Sequence, residues 1–349
     1  MTAKPPVFVV GSPRSGTTLL HCTLMSAGEF AIYRSETHAY NGLAPRYGHF
    51  GTASLRREFL TDWLESEHFL RTGLDPAVAT RAVEEECRSA ADFLRAILGR
   101  IAQQQQASRW LESTPESGLY IDQILRDFPD ARIVHMLRDG RDVAPSMVRQ
   151  GWFRPFPWHR PRPLLPAIAY WDWIVRRIRG LGQKKCANYC EVRFEDLTAK
   201  PGETLCKLSD FLQQRLDWEQ IQKIGIGSVS KPNTSYTDDL AQGAFEPIGR
   251  WKRELTAEQV ADLEAIAGPL LEDLGYERTS PERSARLTRW LYQRRFATRF
   301  WMKNHCPLAR HLSHATIIPW EPQPPSEDRT LRPADNLEAI RQIVAGHCP

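Results

Sequence analysis

The chain lacks several of the devices by which proteins announce a class. No CxxC pair occurs, and its seven cysteines (22, 87, 186, 190, 206, 306 and 348) are odd in number and scattered. That spacing speaks against a disulfide scaffold or a structural zinc site and predicts a reducing compartment. No stretch approaches the ~20 apolar residues that would span a bilayer. The first apolar run, Val7 to Val10, is too short for the core of a signal peptide and meets Gly-Ser-Pro at once. The expectation is therefore a soluble cytoplasmic protein. No internal repeat is found. Hydrophobic residues at 42% and charged residues at 25% are near the average for globular chains, which excludes a disordered or fibrous class. The net charge of +4 is too small to name a partner.

What is present is an alternation of apolar runs and helical periodicities over the first two thirds of the 349 residues. That pattern predicts an α/β fold with an open, mainly parallel sheet flanked by helices. Expected strands are Val7 to Val10, one beginning at Trp110-Leu111, Ala131 to Leu137 and Tyr189 to Phe194. Expected helices are Thr17 to Ala27, one long helix from Arg81 to Gln106, a helix from Pro115 through Gly118 to Phe128, and Ala257 to Leu274 closing at Gly275. Residues 152 to 166, rich in proline, tryptophan and arginine, read as an irregular loop or lid. Beyond Ser280 the composition changes, which divides the chain into a domain of residues 1–280 and an extension of residues 281–349. The extension opens on arginines interleaved with aromatics, for which packing against the core is the default expectation. A proline-rich tether over 319–333 and a short helix over 334–345 follow.

The chemistry begins at Gly11-Ser12-Pro13-Arg14-Ser15-Gly16-Thr17-Thr18, placed between the first strand and the first helix. Backbone N–H groups and a helix N-terminus there converge on an anion. The interval from Gly11 to Gly16 equals that of a P-loop, but Thr17 stands where the P-loop lysine belongs. Without that lysine, and without a clear strand ending in a Mg²⁺-binding aspartate, a kinase or nucleotide triphosphatase loses two of its main parts. Arg14 offers a cation beside the phosphate instead. A transferred sulfuryl group carries less charge than a phosphoryl group, so arginine, hydroxyls and backbone donors suffice without a metal.

Ser12 to Leu20 resembles the 5′-phosphosulfate loop of nucleotide-dependent sulfotransferases, most closely the branch of tyrosylprotein sulfotransferases and their bacterial relatives. The resemblance covers roughly residues 7 to 276 and implies a fold related to P-loop kinases. It also implies 3′-phosphoadenosine-5′-phosphosulfate (PAPS) as sulfuryl donor, with no metal required. Arg14, Ser15, Gly16, Thr17 and Thr18 would line the first loop. In Ile133 to Ser146, an arginine at the C-terminal end of a buried strand is followed eight residues later by a serine, which suits an anion at the sheet edge. Arg138 and Ser146 match the pair that grips the 3′-phosphate. Gly249-Arg250-Trp251-Lys252 resembles the late Gly-Arg-Trp element, with Arg250 and Lys252 on phosphate and Trp251 either stacked on adenine or filling the wall beside it. The strand-turn signature at Val192 to Leu197 reads as structural.

Transfer to a hydroxyl or amine requires a base for the acceptor's proton. Ser35-Glu36-Thr37-His38 matches the branch's Glu-Glu-Thr element, so Glu36 is the candidate base. His38 is the alternative, because its ordinary pKa lies nearer neutrality. Leu111 to Pro115 resembles an element usually written Glu-Lys-Thr-Pro, with Ser113 at the lysine, which leaves Arg14, or Arg34 from beside Glu36, to supply the charge. The acceptor is left open as a small molecule, glycan, lipid or peptide. Nucleic acid is not expected as a partner, membrane-surface contact by the extension is left open, and no oligomeric state is implied. Two alternatives stand beside this reading: a P-loop-type kinase with a degenerate loop, and a cofactor-binding protein of the same fold that has lost catalysis.

Overall fold

A computed structural model describes residues 4–234, 243, 246–281 and 283–306. Four parallel strands form one sheet in the order β2-β1-β3-β4: β1 is Val7–Gly11, β2 Leu111–Glu112, β3 Arg132–Leu137 and β4 Tyr189–Arg193. The register sets Val9 opposite Val134 and Val134 opposite Cys190. Every residue of β1 is buried, because the sheet is covered on both faces. Phe8 and Val10 point into one core, with Trp171 and Ile174 of the helix Leu164–Gly182. Val7 and Val9 point into the other, with Leu20 and Leu24 of the helix Thr17–Ser26. Burial of each such side chain contributes roughly 1.5–3 kcal/mol.

The order matters for function. From β1 the chain crosses to β2 on one side and then to β3 on the other, so the segments leaving β1 and β3 diverge from adjacent strand ends. Such a point is where open α/β sheets bind ligands.

Three expectations are corrected. The single helix over 81–106 is two helices, Pro76–Glu86 and Ala90–Gln104. Cys87 is extended, and the Ser89 hydroxyl accepts a hydrogen bond from the Asp92 N–H at 3.1 Å, starting a second helix. The helix expected from Pro115 begins as a 3₁₀ turn, Pro115–Tyr120, and becomes α-helical only over Ile121–Asp127. The lid is shorter than 152–166, because Leu164 already opens the helix Leu164–Gly182, with Pro166 tolerated in its first turn. Remaining boundaries agree to within about two residues, including Ala257–Asp273, whose N-terminus is fixed by a reciprocal capping box of Thr256 and Gln259.

The basic segment after Ser280 forms a helix, Arg286–His305, whose Tyr292 and Phe296 join the core on the side of Leu164–Gly182. The tether over 319–333 and the helix over 334–345 lie outside the described residues. Among the described residues, no helix is long and apolar enough to cross a membrane.

Candidate active site

The loop after β1 needs glycine at both ends. A Cβ added at Gly11 would stand 2.6 Å from the Met136 carbonyl oxygen, and one at Gly16 would stand 2.3 Å from the Phe194 ring. Gly16 is also left-handed, at φ 93, and hands the chain to Thr17–Ser26 without a side-chain cap, so the first N–H groups of that helix face the loop. Arg14 takes the left-handed region too, at φ 67, a conformation that costs a non-glycine residue energy and collects at functional sites. The Ser15 hydroxyl is buried and finds no hydrogen-bond partner among the described residues. An orphaned donor, two glycines that admit close approach and open helix N–H groups are the features that a phosphate group would satisfy.

The loop after β1 and the Arg138–Ser146 segment meet. Arg14 Nε donates to Ser146 Oγ at 3.0 Å, and Arg138 Nη1 donates to the Arg14 carbonyl at 3.1 Å. Arg138 Nη2 donates to the Pro247 carbonyl at 2.6 Å, while its guanidinium lies 4.2 Å from the centroid of the Phe194 ring. Phe194 thus packs against Gly16 and supports Arg138. The third segment is clamped by Asp142, whose two carboxylate oxygens accept from the Gly249 and Trp251 N–H groups, each at 2.9 Å. Burial pushes the Asp142 carboxyl up to about 6, against the pull of Arg138.

A cleft of about 290 Å³ results. Arg14, Gly16, Thr17, Thr18, Arg138, Ser146 and Arg250 line it, and so do Glu36, Pro115 and Trp152. Ser15 lies beneath this surface. Trp251 and Lys252 do not join Arg250 there. The Trp251 ring is buried 3.9 Å under the Arg141 guanidinium, itself held by Asp139 and Glu264, and Lys252 is exposed to solvent. In a short helix that runs Trp251–Glu254, successive side chains diverge by about 100°. Arg250 facing the cleft therefore turns its two neighbours away.

At the Glu36 end, three carboxylates gather. Glu112, at the end of β2, accepts from the Thr37 hydroxyl at 2.9 Å and from the Thr114 hydroxyl. Thr114 in turn accepts from the His38 N–H at 3.1 Å. Glu116 is buried and accepts from Asn41 at 2.8 Å and from the Tyr170 hydroxyl at 2.6 Å. Ser113 is buried between them in sequence. Glu36 keeps 34% of its side-chain surface open, toward the cleft, and sits 3.3 Å from His38 Nε2.

The two candidate bases separate electrically. Enclosure by protein, followed by the charges of Glu112 and Glu116, pushes Glu36 up to about 8, with Arg14 opposing. Burial, followed by His68 and Lys303, pushes His38 down to about 3. A base works best when its pKa lies near the operating pH, which favours Glu36 and leaves His38 a neutral partner. Asn41, Glu116, Tyr170, Asp142 as a clamp, and Lys303 were not anticipated. Only Asp142 carried a signal, as an acid in the first turn of a helix.

The chain matches the model described as Sulfotransferase family over residues 5–220. It is 26% identical over 290 residues to the protein-tyrosine sulfotransferase of Drosophila melanogaster, covering 78% of this chain and 52% of that protein. The chain therefore spans about half the length of that curated relative. It is 24% identical over 328 residues to the omega-hydroxy-beta-dihydromenaquinone-9 sulfotransferase Stf3 of Mycobacterium bovis, covering 80% of this chain and 77% of that one. The sulfotransferase domain from the Synechococcus PCC 7002 olefin synthase shares the fold with a TM-score of 0.53 at 23% identity, over 79% of this chain and 96% of that domain. Family model, relatives and fold agree, and the chain belongs to the sulfotransferase family.

Proposed function

We propose that this protein moves a sulfuryl group from PAPS to a hydroxyl or amine acceptor by in-line displacement, with Glu36 as general base. The observation that carries this reading is the convergence of Arg14, Arg138, Ser146, Arg250 and Glu36 on one cleft. Arg14 with Ser15, Gly16, Thr17 and Thr18 would hold the 5′ phosphosulfate end, and Arg138, Ser146 and Arg250 the 3′-phosphate. Bound there, PAPS supplies an activated sulfuryl group and a leaving phosphate. Arg14, which reaches both the loop and the field of Glu36, stabilises charge at the point of transfer. Glu36 Oε takes the acceptor's proton. Trp152 and the lid exclude water from that end.

Melting the protein with 3′,5′-bisphosphoadenosine tests the donor assignment. Saturation at a hundred times Kd stabilises by about 2.7 kcal/mol, worth roughly 4 °C in a chain of this size. Stabilisation by Mg-ATP alone would instead support a kinase. Binding of the bisphosphate with no label passing from radioactive PAPS to any component of a cell extract would support a binding protein that has lost catalysis.

A small-molecule, glycan, lipid or peptide acceptor fits the hydroxyl chemistry named for the relatives. The helix Arg286–His305 exposes Leu287, Trp290 and Trp301 beside Arg286 and Arg294, and no acidic residue occurs from Arg283 to His305. That face supports contact with an anionic membrane surface.

A further inference from the structure

Asp142 is out of place among the residues that line the cleft. Arg14, Arg138 and Arg250 suit an anion there, whereas a carboxylate opposes one. Both of its oxygens are turned to main-chain donors, the N–H groups of Gly249 and Trp251, each at 2.9 Å. Those two residues flank Arg250. One carboxylate therefore grips the chain immediately before and immediately after an arginine that lines the cleft.

The segment is too short to hold that position alone. The helix Trp251–Glu254 is a single turn whose N-cap, Arg250, makes no side-chain capping bond, and one turn does not persist unaided. Gly249 is left-handed at φ 66, a conformation that glycine takes without strain and that brings both N–H groups round to one carboxylate. Contacts of the Arg250 side chain along its own segment are longer, 3.4 and 3.3 Å to the Glu246 carbonyl and 3.6 Å to Glu254. Asp142 belongs to the helix Gly140–Arg149, whose neighbouring residues reinforce the grip. Arg141 covers the Trp251 ring, and Arg138, just ahead of the helix, donates to the Pro247 carbonyl. One turn beyond Asp142, on the same face, Ser146 accepts from Arg14 Nε. The helix thus holds the late segment with Asp142 and the loop after β1 with Ser146.

We propose that Asp142 is a positioning residue that, by bracketing Arg250, gives the site its preference for a nucleotide bearing a 3′-phosphate. This rests on the reading of Arg250 as a ligand of that phosphate. Set in advance, the guanidinium meets the phosphate without having to order its segment, and a charge-assisted pair results. A nucleotide without the 3′-phosphate gains nothing from the clamp.

The test compares, by calorimetry on the full chain, the affinities for 3′,5′-bisphosphoadenosine and adenosine 5′-monophosphate. Asp142→Asn keeps the shape of the side chain but presents an NH₂ where an acceptor is needed. In that variant the preference for the bisphosphate should fall by about ten- to a hundredfold, with little change in affinity for the monophosphate. Were Asp142 only a charge in the wall, its removal would strengthen the hold on the bisphosphate, so an equal or larger preference overturns the proposal. Arg250→Met should lower the preference by a similar factor, and adding Asp142→Asn to it should lower it little further. If Asp142→Asn does not fold, amide hydrogen exchange in the wild type decides: the bisphosphate should slow Gly249 and Trp251 more than the monophosphate does, and equal slowing overturns the proposal. A wild type that does not distinguish the two nucleotides removes the donor assignment together with this inference. A clear wild-type preference, with the two substitutions multiplying their losses, removes this inference alone.

Discussion

Replacing Glu36 with glutamine removes a carboxyl that the fold holds out of its ordinary range, and the consequences can be read with and without a substrate. The group titrates near 4.5 when unconstrained and at about 8 in the folded chain. A raised carboxyl binds its proton more tightly in the folded state, so its contribution is intact below about pH 4.5 and is lost as pH climbs through 8. One unit is worth about 1.4 kcal/mol. Full conversion of the shift would give several kcal/mol, and the open face of Glu36 reduces this to roughly 2 kcal/mol, or roughly 3 °C in melting temperature. Glu36→Gln should therefore melt with the wild type at pH 4.5 and about 3 °C above it at pH 9. In turnover the variant should fall by about 10² to 10⁴ with little change in affinity for 3′,5′-bisphosphoadenosine. The wild-type rate should rise up to about pH 8, since only the ionised carboxyl accepts a proton. Equal melting differences at both pH values would refute the electrostatic reasoning, and loss of nucleotide affinity would make Glu36 a structural residue.

Arg14→Ala should abolish turnover, because Arg14 joins Ser146 and faces Glu36, whereas Ser113→Ala should have a modest effect; near-normal turnover by the Arg14 variant would sink the assignment. The double variant Trp290→Ala, Trp301→Ala should cosediment less with phosphatidylserine vesicles at low salt than the wild type does, and equal binding would dismiss the membrane-facing reading.

What could be read from the sequence was what is local. The run Val7 to Val10, the glycines of the loop and the arginine eight residues before Ser146 each impose their meaning within one turn or one strand, and the structure joins Gly16, Arg138 and Ser146 in one cleft beyond that strand. The break at Cys87 to Ser89 was hidden by apolar spacing that continues across it; the deciding interaction is one serine cap. The helix from Leu164 was masked by the prolines and tryptophans ahead of it. Trp251 shows another limit, since a motif fixes residue order while the phase of a short helix decides which side chain reaches the cleft. The charge around Glu36 could not be read at all, because it is assembled from residues 14, 36, 112 and 116, far apart along the chain.

That distance has a consequence during synthesis. Among the described residues, all four strands, the loop after β1 and the Arg138–Ser146 pair lie before residue 194, so the sheet and that loop can assemble while the rest of the chain is still being made. The helix that braces the lid leaves the ribosome about a hundred residues later. A message cut short before Arg286 would therefore keep the loop after β1 and the arginines of the cleft, but lose the helix that holds Phe156 and Arg154 of the lid.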